Sequence, residues 1–335
     1  MSFLFPSSTI TFEAAMRDLV SGKPKSRAFA AHALGDVDDP TEKHRAVEAL
    51  IVALEDDSPE VRAEACASLG DLGEASAVPG LIKRLADGSG PVRQNAAIAL
   101  GALRAADAFE PLVQSLKEGP ADLRFQAATS LAEIDARKSF EFLLAALGDK
   151  DPQVASSAAL ALGVIPGRVE DADLKTRART ALVEHLDHGD AATRFDVAYA
   201  LADLDDGAGR YVLSRSLGDP ERAWDAVTQL AKLGGVSDLD ELAGALTDRS
   251  VPPEATLLAA GEMLKKRASE PAKRVLIAGL IARKTHVRGL AVEQLADVGG
   301  EWAVAPLEAM AKLGKNGELL EVIAGALRDI ESRKE

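Results

Sequence analysis

The feature that most narrows what this chain can become is its similarity to itself at an interval of 31 residues. The segments PEVRAEACASLGDLG, GPVRQNAAIALGALR, ADLRFQAATSLAEID and DPQVASSAALALGVI align at that interval, with Val61, Val92, Leu123 and Val154 in one column and Leu69, Leu100, Leu131 and Leu162 in another. A period of this length is one helix–turn–helix unit, and so small a unit cannot bury its apolar face alone. Stacking on neighbours is its only route to a core. The leucine column continues outwards to Leu34 and, beyond Leu162, to Leu201, Leu230, Leu264, Leu295 and Leu327, which gives about ten units 29 to 39 residues long. Although 335 residues would ordinarily suggest two globular domains, the repetition argues for one extended domain over 11–335, preceded by an N-terminal tail at 1–10.

Each unit reads as helix A, turn, helix B. Helix B commonly follows a residue paired with proline, as at Ser58-Pro59, Gly90-Pro91, Asp151-Pro152 and Asp219-Pro220, where the missing proline N–H costs nothing in a first helical turn. With the leucine as position zero, helical spacing puts −8, −4, −3, −1 and 0 on one face. That face holds Val61, Ala65, Cys66, Ser68 and Leu69 in the second unit and Val92, Ala96, Ala97, Ala99 and Leu100 in the third. Small residues there let helices approach closely. Hydrophobic residues make up 47% of the chain and aromatics only 4%, so Ala, Leu and Val carry the core, which favours helices over sheet.

The run VRAEACASLGDL, repeated as VRQNAAIALGAL and preceded by an acidic turn, resembles the short bacterial HEAT-like repeat first described in phycobilisome lyases. The resemblance covers about 11–331, strongest over 43–165 and looser after about 235, where LLAAGEMLKKR and LLEVIAGALRDI lack the Val-Arg pair. It implies an all-α fold, an α-solenoid coiled as a right-handed superhelix with B helices on the concave side. Members of this broad class act as partner platforms, as bilin lyases, as a di-iron hydroxylase and as DNA glycosylases, and fold alone does not choose among them.

Composition removes some of these. A net charge of −14 opposes binding to nucleic acid or acidic lipid, which depends on Lys and Arg displacing counterions. No His-Glu dipeptide occurs, which argues against the di-iron chemistry. A phosphate-binding glycine loop followed by Lys-Ser or Lys-Thr and a nucleophile elbow are also missing from the sequence. The opening MSFLFPSSTITF does not read as a signal peptide, the single cysteine Cys66 has no intramolecular partner, and no run is long and apolar enough to insert in a membrane. The expectation is a soluble cytoplasmic protein with no cofactor and no catalytic residues. Its alternative is a bilin lyase-like protein acting on a chromophore-bearing partner.

Several residue sets carry sharper expectations. Arg62, Arg93 and Arg124 stand at −7 in successive units, and Asp56, Asp87 and Glu118 at −13. These read as a structural ladder between repeats, the alternative being a row that binds anions. Cys66 reads as a small buried residue. His185 and His188 have a spacing compatible with metal ligands, but they lie in a polar helix end, and no metal site is assigned. Residues 166–177 carry an eight-residue excess that reads as a loop on one rim. Positions −6, −2 and +2 of helix B face away from the core and become apolar from the third unit to the seventh, at Ile98, Phe125, Leu160, Val164, Phe195, Tyr199 and Trp224, with Glu64 and Asp196 among the acids alongside. The expectation is a concave groove that binds a protein or peptide, one carrying basic groups; the alternative is that curvature tucks some of these side chains inward.

Overall fold

The computed structural model describes residues 10–216, 219, 221–233, 253–266 and 268–333. Among them every regular element is a helix. The chain divides into two compact units, 1–181 and 182–335.

In the first unit the A helices are α1 (Phe12–Ser21), α3 (Pro40–Ala53), α5 (Val78–Arg84), α7 (Phe109–Glu118) and α9 (Ala136–Ala146). They alternate with the B helices α2 (Pro24–Gly35), α4 (Pro59–Leu72), α6 (Gly90–Ala102), α8 (Ala121–Ile134) and α10 (Pro152–Arg168). Helix α11 (Ala172–His185) follows. The turn before helix B is built from side chains: Asp56 accepts from the Ser58 N–H at 2.8 Å, Asp87 from Ser89 at 2.9 Å and Asp149 from Asp151 at 2.8 Å. Each supplies an acceptor that a helix start lacks.

Neighbouring B helices of this unit lie directly against one another, and neighbouring A helices touch far less. Residue size explains the closeness. A methyl group on Gly70 would lie 2.9 Å from the Cβ of Ala99, and one on Gly101 would lie 2.9 Å from the Cβ of Ser130. At the same seam the Ser68 hydroxyl donates to the Ala31 carbonyl at 2.9 Å and Ser130 to Ala97 at 2.8 Å, so these buried hydroxyls are satisfied between repeats. Leu34, Leu69, Leu100, Leu131 and Leu162 are completely buried.

The expected rim loop at 166–177 is absent. Helix α10 continues through Pro166 to Arg168, and α11 begins at Ala172, so the extra residues lengthen two helices and leave a short turn with Glu170 at φ 50°.

In the second unit the B helices are α12 (Ala191–Asp203), α14 (Ala223–Leu233), α15 (Pro253–Lys266), α17 (Thr285–Val298) and α19 (Leu320–Ser332). Between them stand α13 (Arg210–Ser216), α16 (Glu270–Gly279) and α18 (Glu301–Ala311). The leucine column holds at Leu201, Leu230 and Leu295. Leu327, in the last helix, is part-exposed, and the column fails at Leu264, which is part-exposed while Thr256, Leu257, Ala259, Ala260 and Met263 are buried. Position zero of α15 is therefore Ala260, four residues earlier, and Gly261 then falls where Gly35, Gly70 and Gly101 stand in their own helices. Among the described residues no helix is long and apolar enough to cross a membrane.

Candidate functional site

Two rows of side chains repeat along the B helices, one inside the stack and one on its surface. The inner row starts with arginine at −7. Arg27 donates Nε and one terminal nitrogen to Asp56 at 2.8 and 2.7 Å, Arg62 donates likewise to Asp87 at 2.9 and 2.8 Å, and Arg124 to Asp149 at 2.8 and 2.7 Å. The remaining nitrogen of each donates to carbonyls of its own turn, as Arg62 does to Asp56 at 2.8 Å. One guanidinium thus ties two consecutive turns together, a task its planar fork suits.

The acids respond to this. Asp87 is held below the usual carboxylate range chiefly by the Arg62 hydrogen bond. At Asp56 and Asp149 burial pushes the carboxyl up, but the bonds from Arg27, Arg124 and the turn N–H groups outweigh it.

Glu118 is not part of the ladder. In the other repeats the A helix has ended before the acid, whereas α7 runs through Glu118 and closes at Gly119, which leaves Glu118 on the exposed helix surface. Arg93 donates instead to Asp122 with one nitrogen at 3.0 Å, and its buried Nε has no partner among the described residues. The Glu-Gly-Pro-Ala-Asp run at 118–122 carried that signal: a second acid follows the proline. In the second unit Arg288 is buried with no carboxylate partner among the described residues, donating to Asn316 at 2.8 Å and to the Ala282 and Arg283 carbonyls at 3.0 Å.

The surface row is the sequence-derived binding face. In the first unit Ile98 is 48% exposed, Leu160 38% and Val164 48%, while Phe125 is half-buried. Glu64 lies 3.5 Å from His32, across the seam between α2 and α4, and burial raises its carboxyl pKa. In the second unit Trp224 is 42% exposed, and Tyr199 and Asp196 are half-buried.

Phe195 departs from the expectation, being 5% exposed. Its ring lies under the Arg222 guanidinium at 5.7 Å and beside Tyr199 at 6.3 Å. Ala28 and Ala63, which share position −6, are also buried. Position −6 on these helices belongs to the seam with the next helix, because helical side chains lean toward the N-terminus. Positions −2 and +2 carry the solvent-facing surface.

Cys66 and the histidine pair were the other sequence candidates. Cys66 is fully buried and its thiol is pushed up to about 12 by desolvation, so it is neither exposed nor ionised as a nucleophile must be. The rings of His185 and His188 are 5.5 Å apart, and among the described residues no group of three or more His, Cys, Asp or Glu is placed to hold a metal.

The chain is similar to several solved structures. A structure of Kap95p with RanGDP matches over 99% of this chain and 53% of its own, at 13% identity and a TM-score of 0.56. YibA of Escherichia coli matches over 77% of this chain and 93% of its own, at 20% identity and a TM-score of 0.52. The complex of CpcE and CpcF of phycocyanin lyase from Nostoc sp. PCC7120 matches over 82% of this chain and 97% of its own, at 24% identity and a TM-score of 0.40. Comparison with curated proteins gave no match. The family model for HEAT repeats matches residues 13–101, 47–128 and 109–180, half of the chain taken together. With the paired helices, the repeat-to-repeat arginine bonds and the shared fold, this chain belongs to the HEAT repeat proteins.

Proposed function

We propose that this chain is a non-catalytic scaffold that binds a partner protein or peptide on the B-helix face of its repeats. The observation that carries this reading is the exposure of Ile98, Leu160 and Val164 at positions −2 and +2 of α6 and α10. Within one row of helices whose apolar side chains are otherwise spent on packing, large aliphatic groups left in water mark contact surfaces. In the second unit Tyr199, at −2 of α12, is half-buried, and Trp224, at −6 of α14, is 42% exposed. The ladder arginines are committed to carboxylates and carbonyls of the chain, so their role is to hold the repeats in register. Kap95p, which shares the fold, is a protein that binds RanGDP, and scaffolding fits such an architecture.

The test is site-specific photo-cross-linking in cells of the source organism. A photoreactive residue replacing Leu160 or Ile98 should yield a discrete cross-linked partner, and one replacing Val52, an equally apolar residue 74% exposed on helix A, should not. Equal labelling from both faces, or labelling only from Val52, contradicts the reading.

A further inference from the structure

The B-helix face of the first unit is not uniform, and its two ends differ in chemistry. On α2 and α4 it carries Asp36, Glu64 and Asp71, whereas on α6 and α10 it carries Ile98, Leu160 and Val164. The ladder and rim carboxylates of this unit have cations of their own: Asp56, Asp87, Asp122, Asp149, Glu133 and Glu141 pair with arginines. Among the described residues Asp36 and Asp71 pair with none, and Glu64 faces only His32 at 3.5 Å. Burial and the like charge of Asp36 raise the Asp71 carboxyl, so these groups gain from a cation brought by another molecule.

Between the two ends stand Gln94 on α6 and Gln126 on α8, both half-buried. Each amide offers a donor and an acceptor to a peptide group, which an extended chain has free and a helix has already used.

Resting on the scaffold reading above, we infer that the first unit binds an extended, amphipathic peptide segment whose Lys or Arg residues lie over Asp36, Glu64 and Asp71 and whose large apolar residues lie over Ile98, Leu160 and Val164. Packed helices are about 9 Å apart, so α4 and α10 are separated by roughly 27 Å, which an extended chain covers in about eight residues. The segment therefore carries its cations and its last apolar anchor about eight positions apart, with a nearer anchor, over Ile98, about three positions away.

Selection from a phage-displayed library of random sixteen-residue peptides on the full-length protein tests this. The expected winners combine basic residues toward one end with aromatic or aliphatic residues toward the other at that separation. A winning peptide, synthesised with a fluorescent label, should lose about tenfold or more in affinity for the D36N/E64Q/D71N variant at low salt, and a similar amount when its own Lys and Arg are replaced by Ser. Against I98S/L160S the aliphatic end should cease to matter. Among the described residues none of the three acids has a Lys or Arg partner, so the acid variant should melt no lower than the wild type, which separates lost binding from lost folding.

Winners without basic bias, or a winner bound equally by the acid variant, overturn the polarity of the site. The scaffold reading still stands in that case if Leu160 cross-links a partner. Enrichment of no peptide at all alongside a Leu160 cross-link overturns the extended segment in favour of a folded partner. A dimer in solution that I98S/L160S dissolves identifies a second copy of this chain as the occupant and overturns the proposal. Failure of both the selection and the cross-link removes the scaffold reading as well.

Discussion

Arg62 and Arg93 occupy the same position in successive repeats, yet Arg62 meets its acid with two nitrogens and Arg93 with one. Arg62→Ala should therefore cost more stability than Arg93→Ala, about 3 against about 1 kcal/mol, since the first leaves buried Asp87 without its main donor; denaturant unfolding of the two variants checks the order. The same geometry sets an acid limit. A carboxyl depressed in the folded state, such as Asp87, binds its proton more readily once unfolded, so its contribution is complete above about pH 4 to 5 and is lost as pH falls through the folded value. The melting temperature should hold level from pH 7 to about 5 and drop below that, with Asp87→Asn lower at neutral pH and less steep in acid. Phe195→Ala should cost about 3 kcal/mol or more as a buried ring removed, whereas Trp224→Ala should change the melting temperature little. At this scale the sequence was legible where position implied chemistry: arginine at −7 and small residues at −1 and −3 were readable from the period alone. Glu118 and Phe195 were not, because their placement depends on where α7 stops and on which side chain the next helix lays over the ring.

Among the elements, the pairing of helices and the identity of the B face followed from the 31-residue period, and the two misreadings share one cause. The eight-residue excess at 166–177 over the period reads as an inserted loop, but α10 absorbs part of it by carrying Pro166 and Gly167 within its length. The register of α15 slipped four residues because Ala260, not a leucine, fills its central place. Both arise where the repeat consensus weakens and tertiary packing decides what a local pattern leaves open. Where the consensus is strong the period has a mechanical meaning. Removing residues 74–104 takes out one whole unit and brings Arg62 to the place facing Asp122, so the shortened chain should stay helical and melt cooperatively. Removing 74–88 alone deletes helix A and exposes the seam, and that chain should not fold. Circular dichroism of both deletions checks this; equal tolerance would show the repeat boundaries to be misplaced.

For the molecule as a whole, the division of labour lies between side chains spent on joining repeats and side chains left facing solvent. The arginine row, the buried serines and the leucine column belong to the first group, and truncating them should weaken the fold. Ile98 and Leu160 belong to the second. Truncating an exposed apolar residue changes stability by a few tenths of a kcal/mol, whereas truncating an interface anchor commonly costs about 2 kcal/mol or more of binding energy. The most direct measurement is therefore a paired one on Ile98→Ser with Leu160→Ser: quantitative capture of the partner cross-linked at Leu160, and the melting temperature of the same preparation. The account predicts capture reduced well over tenfold with the melting temperature nearly unchanged. Undiminished capture, or a collapse of the melting temperature, would contradict it.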